Sequence, residues 1–327
     1  LVQKAHERGM KVVLDAVYNH TGRDFFAFQD ILEKGEKSRY LDWYFIDELP
    51  PKGEMGEIPN YKCFGYYGGM PKLNLKNPEV EKFFTDVACY WIKECDIDGW
   101  RMDVGDEISH YFWKNFRRAV KAVKKDMLII GEIWHYAGDF LEGDEWDTVM
   151  NYPFYLNLID LLADEKINVS QFIQNLGYLK GRLNKKCYPL MWNLIDSHDT
   201  ARFLHLCNDN KKKQHLAAAF QLLLPGMPMI YYGDEFAMPG ANDPDCRRGM
   251  YWDEEYQDKE MFEWYKQLLK VRKNHACIVE GELMEIAARD EEETIVLTRK
   301  NGEETIAMIF NCSTRMKEFN EYAQKVN

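Results

Sequence analysis

A chain of 327 residues with 46% hydrophobic and 14% aromatic side chains carries enough apolar surface for a large core, which excludes an intrinsically disordered chain. Its net charge of −12, with only short basic runs such as Lys211, Lys212 and Lys213, argues against nucleic acid as a partner, because phosphate binding needs clustered Lys and Arg. No apolar run approaches the roughly 18–20 residues that span a bilayer, so no membrane partner is expected.

Eight cysteines (Cys63, Cys89, Cys95, Cys187, Cys207, Cys246, Cys277, Cys312) lie scattered without CxxC spacing. Free thiols and a reducing compartment are expected from them, rather than a disulfide framework or a zinc site.

In chain order, Leu1 to Gly9 reads as the last turns of a helix stopped by Gly9. Neither an initiator Met nor a signal peptide precedes it, so the chain is expected to begin inside a domain. Lys11 to Tyr18 (KVVLDAVY) is a β-branched run that predicts a buried strand. From Thr21 to Asn77 the text is rich in aromatics, Gly and Pro without a sustained period, which predicts an irregular insertion with a short helix near Phe25 to Lys34. Asn77-Pro78 is a cap-and-proline helix start. It opens a helix over Glu79 to Glu94, followed by a strand Asp98 to Val104, a helix Ser109 to Lys124 and a strand Met127 to Trp134. The alternation continues with a strand near Thr148 to Tyr152, helices between Phe154 and Asn184, a strand Leu190 to Asp196, a helix Gln214 to Leu224, a strand Pro228 to Tyr232 and a helix Lys259 to Asn274.

Strands alternating with helices over some 270 residues predict βαβ units and a parallel sheet. The polar residues that stand out recur at strand C-terminal ends, the active face of a (β/α)₈ TIM barrel; six of its eight strands are legible. Beyond Ala276 short strands alternate, among them Thr294 to Arg299 and Thr305 to Asn311, joined at Asn301-Gly302, a hairpin signal. The expected organisation is therefore an α/β barrel domain over 1–275 and a small antiparallel β-sandwich domain over 276–327.

The chemistry concentrates at four strand ends. Arg101 and Asp103, two apart on one strand, point to the same side of the pleat, and a guanidinium beside a carboxylate keeps it ionised. An ionised Asp suits a glycosylation nucleophile, and a structural Arg/Asp pair reads equally well. Glu132 in IIGEIW closes an otherwise apolar strand; apolar surroundings raise a carboxyl's pKa, which suits a proton donor. A lone buried Glu is more often structurally paired. His198 and Asp199 follow the strand of NLIDSHD, and His20 closes DAVYNH, where a capping role is the simpler reading. Together, carboxylates, an Arg and two His on one barrel face make a glycosidase inventory. The closely spaced His of a metal hydrolase are absent.

At these residues the sequence resembles the α-amylase family of glycoside hydrolases, through DAVYNH (Asp15 to His20), GWRMDVGDE (Gly99 to Glu107), GEIW (Gly131 to Trp134) and NLIDSHD (Asn193 to Asp199). Met70-Pro71-Lys72-Leu73-Asn74 and Glu107 resemble the neopullulanase, cyclomaltodextrinase and maltogenic amylase subfamily. The resemblance implies Asp103 as nucleophile, Glu132 as acid/base and Asp199 as transition-state stabiliser. It further implies His20, Arg101 and His198 as the grip on the cleaved sugar, and Asp243 with Arg247 as a donor-side pair. Trp134, Tyr67 and Trp252 are candidate stacking surfaces, with a core role as the alternative.

The implied activity is retaining hydrolysis of α-1,4, and in some relatives α-1,6, glucosidic bonds in maltooligosaccharides, cyclodextrins, pullulan or starch. A transglycosylase or isomerase of the family, and a non-catalytic relative, are the alternatives. No cofactor or catalytic metal is required, and nothing in the sequence supports a structural calcium site. Met102 replaces a usual Leu, and Gly105-Asp106 a usual Ala-Asn. Family members carry two further barrel strands ahead of Asp15, and this subfamily an N-terminal β domain used in homodimers. This stretch alone is therefore expected to be an incomplete barrel with exposed strand edges, unstable or inactive by itself. Cysteine usage and subfamily habit imply a cytoplasmic location.

Overall fold

The computed structural model describes residues 1–53, 57–302 and 304–316. The tail of the expected C-terminal domain, 317–327, lies outside the described residues. They form two compact units, one made of Leu1–Ile133 with Ala137–Val149, the other of Trp134–Tyr136 with the chain from Met150 onward.

The first unit begins with helix α1 (Val2–His6), closed where Gly9 turns to a φ of 72°, as its lack of a Cβ permits. Four parallel strands follow in the order β1 (Val13–Ala16), β2 (Gly99–Met102), β3 (Leu128–Gly131) and β4 (Thr148–Val149). Each is shorter than its apolar run predicts, because ladder pairing stops where the chain leaves the sheet to present polar residues. Between β1 and β2 lies the irregular insertion, with helix α2 (Phe26–Lys34) inside it. Helix α3 (Pro78–Cys95) starts where Asn77 accepts the Glu79 amide, and it buries Val80, Phe84, Ala88 and Ile92 as a stripe four residues apart. Its neighbour α4 (His110–Val123) is capped by Ser109 and buries Phe112, Trp113, Phe116 and Val120. These stripes lie at helical spacing, and the sheet's apolar side chains Trp100, Ile129 and Ile130 are buried as well.

In the second unit, α5 (Tyr152–Leu158) runs into a π-helical turn over Ile159–Ala163, and α6 (Val169–Arg182) follows behind an Asn168/Gln171 capping box. Strand β5 (Trp192–Leu194) pairs in parallel with β6 (Met227–Met229), and Trp192 also bridges Met150 in parallel. Between them lie α7 (Phe203–Leu206) and α8 (Lys211–Leu223). Helix α8 starts three residues before the expected Gln214. Asn210 caps it, and the Lys run, unfavourable near a positive helix N-terminus, had obscured that start. Helix α9 (Lys259–Asn274) matches its predicted span, with Asp258 accepting the Met261 amide.

After the short α10 (Ala276–Glu280), strands β7 (Glu282–Arg289), β8 (Thr294–Asn301) and β9 (Glu304–Asn311) form an antiparallel sheet. Gly302 turns the last hairpin at a φ of 58°. One core joins this sheet to the helices: Phe172, Phe220, Tyr265, Ile295, Leu297 and Phe310 belong to the same buried cluster.

One carboxylate ties the first unit's elements at their lower ends. Asp98 accepts the Val12 amide at 2.9 Å and meets His6 Nε2 at 2.8 Å and Lys124 Nζ at 3.1 Å. Burial alone would raise its pKa, but these three partners outweigh burial and hold it at about 2. A depressed carboxyl stabilises the fold above the unfolded value near pH 4, and that stability is lost as pH falls through about 2. D98N in the intact protein is expected to cost about 2 kcal/mol at pH 7. Denaturant unfolding at a series of pH values should show the wild-type advantage shrinking below about pH 4.

Candidate active site

The parallel register sets Asp15 opposite Arg101 on adjacent strands, so both side chains leave the same face of the sheet. Arg101 Nη1 donates to both Asp15 oxygens at 3.0 and 3.2 Å and to Asp103 Oδ1 at 2.8 Å. Its Nη2 lies 2.9 Å from Glu132 Oε2, an ion pair without hydrogen-bond alignment. One guanidinium, its side chain 11% exposed, thus faces three carboxylates from the ends of three neighbouring strands. Burial would lower the Arg101 pKa. The three carboxylates, Glu132 foremost, reverse that and hold it above its ordinary value.

Glu132 does not sit in the purely apolar pocket that its strand suggested. Oε2 receives the Val104 amide at 2.9 Å and lies 2.9 Å from Arg101 Nη2. The apolar neighbours of IIGEIW build the strand while the side chain leaves it at its end. Two backbone features shape the place. A Cβ on Gly131 would fall 2.2 Å from the Trp146 ring, so only glycine lets that indole close over the strand. Val104 adopts φ 45° and ψ 46°, a left-handed conformation that costs a β-branched residue about 1–2 kcal/mol; it aims the Val104 amide at Glu132.

His20 is buried beside this group, its ring stacked on Phe64 at 5.3 Å. Burial lowers its pKa first; Asp103 and Glu107 partly oppose this, and Lys72 adds to the lowering. Lys72 pairs with Glu107 at 2.9 Å and also donates to Asn19, while Asn19 Nδ2 donates to Glu107 at 2.9 Å. Tyr67, 49% exposed, lines a cleft of about 1010 Å³ with Phe64, Tyr66, Lys72 and Glu107.

The second unit gathers the other candidates. Asp199 meets His198 Nε2 at 3.2 Å and Arg247 Nη2 at 3.2 Å. Arg247 Nε also reaches the His198 carbonyl at 2.8 Å and Asp243 at 3.0 Å. Trp134 lies face to face on Tyr152, ring centroids 4.0 Å apart, and remains 40% exposed. Trp252 is 82% exposed. Sequence reasoning passed over Asp15 as a site residue, and the Lys72–Asn19–Glu107 network. Asp15 was legible as the acidic end of a strand next to that of Arg101, whereas the network joins residues up to 88 apart in sequence and only the fold reveals it. Among the described residues, no group of three His, Cys, Asp or Glu could hold a metal ion.

Parallel β/α units that carry their carboxylates, imidazoles and arginines at strand C-terminal ends define an α/β catalytic domain of the barrel class. The chain belongs to the α-amylase family: residues 1–281 match its catalytic domain. It is 46% identical to a cyclomaltodextrinase of Geobacillus thermopakistaniensis over 97% of this chain and 54% of that protein. To neopullulanase 2 of Thermoactinomyces vulgaris it is 43% identical, over 95% of this chain and 53% of the relative. A solved cyclomaltodextrinase superposes with a TM-score of 0.91 at 42% identity, over 94% of this chain and 53% of that one. The cyclic α-maltosyl-(1→6)-maltose hydrolase of Arthrobacter globiformis, in complex with that sugar, gives a TM-score of 0.90 at 34% identity, over 94% of this chain and 69% of that one. The chain thus spans about half the length of the curated relatives it matches.

The surroundings of His20 predict a neutral imidazole at pH 7. Its NMR titration midpoint should fall below the ordinary value of about 6.5. D103N should lower the midpoint further, because a carboxylate that opposes the effect of burial is then gone.

Proposed function

We propose that the intact protein is a retaining hydrolase of α-glucans, cleaving α-1,4 and also α-1,6 glucosidic bonds in cyclodextrins, maltooligosaccharides, pullulan or starch. The observation that carries this reading is the Arg101 guanidinium, in contact with Asp103 and Glu132 at 2.8 and 2.9 Å through its two terminal nitrogens. Carboxyls side by side on one guanidinium favour the roughly 5–5.5 Å spacing of a retaining pair over the roughly 6.5–9.5 Å of an inverting one.

In this reading Asp103, kept ionised by Arg101, attacks the anomeric carbon while Glu132 protonates the departing glycosidic oxygen. A β-linked glycosyl-enzyme results. Glu132, now a carboxylate, takes a proton from water, which attacks the same carbon and releases the sugar with net retention. Asp199 stabilises the transition state. His20, Arg101 and His198 grip the cleaved sugar, with Asp243 and Arg247 next to it on the donor side. A neutral His20 can accept a hydrogen bond from a sugar hydroxyl as well as donate one. Trp134, stacked on Tyr152 and 40% exposed, is the stacking surface for a pyranose ring in this reading.

A cytoplasmic location is part of the proposal. It is supported by Cys63, Cys89, Cys95, Cys207, Cys246 and Cys277 standing outside any disulfide. A relative in Bacillus subtilis, 41% identical over 95% of this chain and 52% of its own length, is named intracellular maltogenic amylase.

In the full-length protein, E132Q is expected to cut kcat on cyclodextrin and pullulan by about 10³-fold or more while leaving the melting temperature unchanged. Unchanged activity would remove the acid/base assignment. Proton NMR of the first-formed products should show the α-anomer; a β-anomer would mean inversion. Maltotriose incubation separates hydrolysis from transfer, since products longer than the substrate report capture of the glycosyl-enzyme by sugar in place of water.

A further inference from the structure

Beneath the turn that carries His198 and Asp199 lies a buried charge cluster that no step above uses. Asp196 follows β5, Asp234 opens the 3₁₀ turn after β6, and Arg202 ends the turn; their exposures are 1%, 0% and 0%. Arg202 Nη1 donates to Asp234 Oδ1 at 3.0 Å and to the Tyr232 carbonyl at 2.6 Å, and Nε donates to the Cys246 carbonyl at 3.2 Å. Asp196 Oδ1 accepts the Phe203 amide. The two carboxyls act on each other electrostatically, and as carboxylates each leaves its Oδ2 buried and without a donor. One cation would then face two anions away from water, an arrangement with a large desolvation cost and mutual repulsion.

We propose that Asp196 is protonated at neutral pH and donates its O–H to the Asp234 carboxylate, so that one shared proton closes the base of the Asp199 turn. The cluster then holds a neutral acid, one carboxylate and one guanidinium, with no net charge. Both orphaned oxygens gain a partner.

The geometry assigns the proton to Asp196 rather than Asp234, because Arg202 donates to Asp234 whereas Asp196 holds only the neutral Phe203 amide. Burial foremost pushes both carboxyls up. Arg202 opposes this at both carboxyls, but its hydrogen bond goes to Asp234. The other titratable groups facing the pair are neutral at this pH or lie outside it. Tyr265 on α9, Tyr155 on α5 and Cys207 after α7 are all pushed up by burial. The Tyr231 and Tyr232 rings flank the Arg202 guanidinium at 4.1 and 4.9 Å, and the Glu235 carboxylate is engaged by the Gly233 amide at 2.8 Å.

The pair reaches Asp199 through the turn. Asp196 spans it by holding the Phe203 amide. Inside it, Thr200 Oγ1 accepts the Ser197 amide, and Ser197 Oγ accepts the Asp199 amide and the Tyr152 hydroxyl, each at 3.1 Å. Asp196 is thus a positioning residue for Asp199. This last step rests on the catalytic reading of Asp199; the shared proton does not.

The test uses the full-length protein. In D196N an N–H replaces the O–H donor and the acceptor for the Phe203 amide is kept, so kcat at pH 7 should stay within about twofold of wild type. D196L, without a donor, should lose roughly 100-fold in kcat with KM little changed. The infrared difference spectrum of wild type minus D196N at pH 7 should show a carboxylic C=O band for Asp196, the contribution of a protonated Glu132 cancelling between the two proteins. The unfolded chain ionises Asp196 near pH 4 while the folded chain keeps its proton, so wild-type stability falls as pH rises from about 4 through the folded value. Asn ionises in neither state, so the melting temperature of D196N should gain on wild type over that range. A difference spectrum without the band, or a D196N melting temperature that loses ground as pH rises, would overturn the proposal. If D196L fails to fold, the band and the D196N series decide alone. Full activity in D199N, with band and trend intact, would sink the positioning role and leave the shared proton standing.

Discussion

The first unit's polar chemistry depends on one cation. Three carboxylates at the ends of three adjacent strands would repel one another where water is scarce, and each would be driven towards protonation. Arg101, its side chain 11% exposed, removes that conflict because a guanidinium offers five donors in a fixed planar fork and does not give up its proton. Lysine, a point charge on a flexible stem, could not hold Asp15, Asp103 and Glu132 in fixed directions together. The strand register does the rest. Asp15 and Arg101 are paired partners, and the Glu132 amide bonds the Met102 carbonyl at 3.0 Å, so the sheet delivers the charges at one level.

The backbone next to this group accepts a local cost to serve it. Val104 is left-handed immediately after Asp103, and its amide turns to Glu132. The Gly105 amide then bonds the Glu132 carbonyl at 3.2 Å, so the loop after β2 is stitched to the end of β3 from both sides. A β-branched residue holds such a conformation only where its surroundings over-determine it. Here a charge-assisted hydrogen bond, stronger than a neutral one, supplies part of that determination. The result is a carboxyl group whose direction is fixed by its surroundings, which is what the role proposed for it in catalysis by preorganised charge requires.

How much of this the sequence disclosed depends on the range of the interaction. Helices α3, α4 and α9 were legible nearly to the residue, because caps such as Asn77, Ser109 and Asp258 act within three residues and apolar stripes repeat locally. The start of α8 was not, since three lysines mask a cap that the tertiary fold tolerates. Strand existence was legible from apolar runs; strand ends were not, because pairing stops according to the neighbouring strand and not to the run itself. Asp103 beside Arg101 could be read from a spacing of two. The ion pair that makes Glu132 polar links residues 31 positions apart across strands, and no local pattern encodes it. Resemblance to a family supplied roles that spacing alone left open between catalytic and structural readings.

The two units answer one electrostatic problem in two ways. In the first, surplus carboxylate charge sits at strand ends with partial access to solvent, the Asp15 side chain being 51% exposed, so screening by water helps one arginine to balance three anions. In the second, Arg202, Asp196 and Asp234 are sealed off, and screening contributes almost nothing. There a proton is the remaining means of balance. The distinction follows from depth: at the mouth of a site charges must stay available to a substrate, whereas below it they need only fix the turn that carries them. A buried acid with a tuned proton is therefore a way to fix the turn that carries a surface carboxylate such as Asp199 without adding a further cation beside Arg247, which already contacts it.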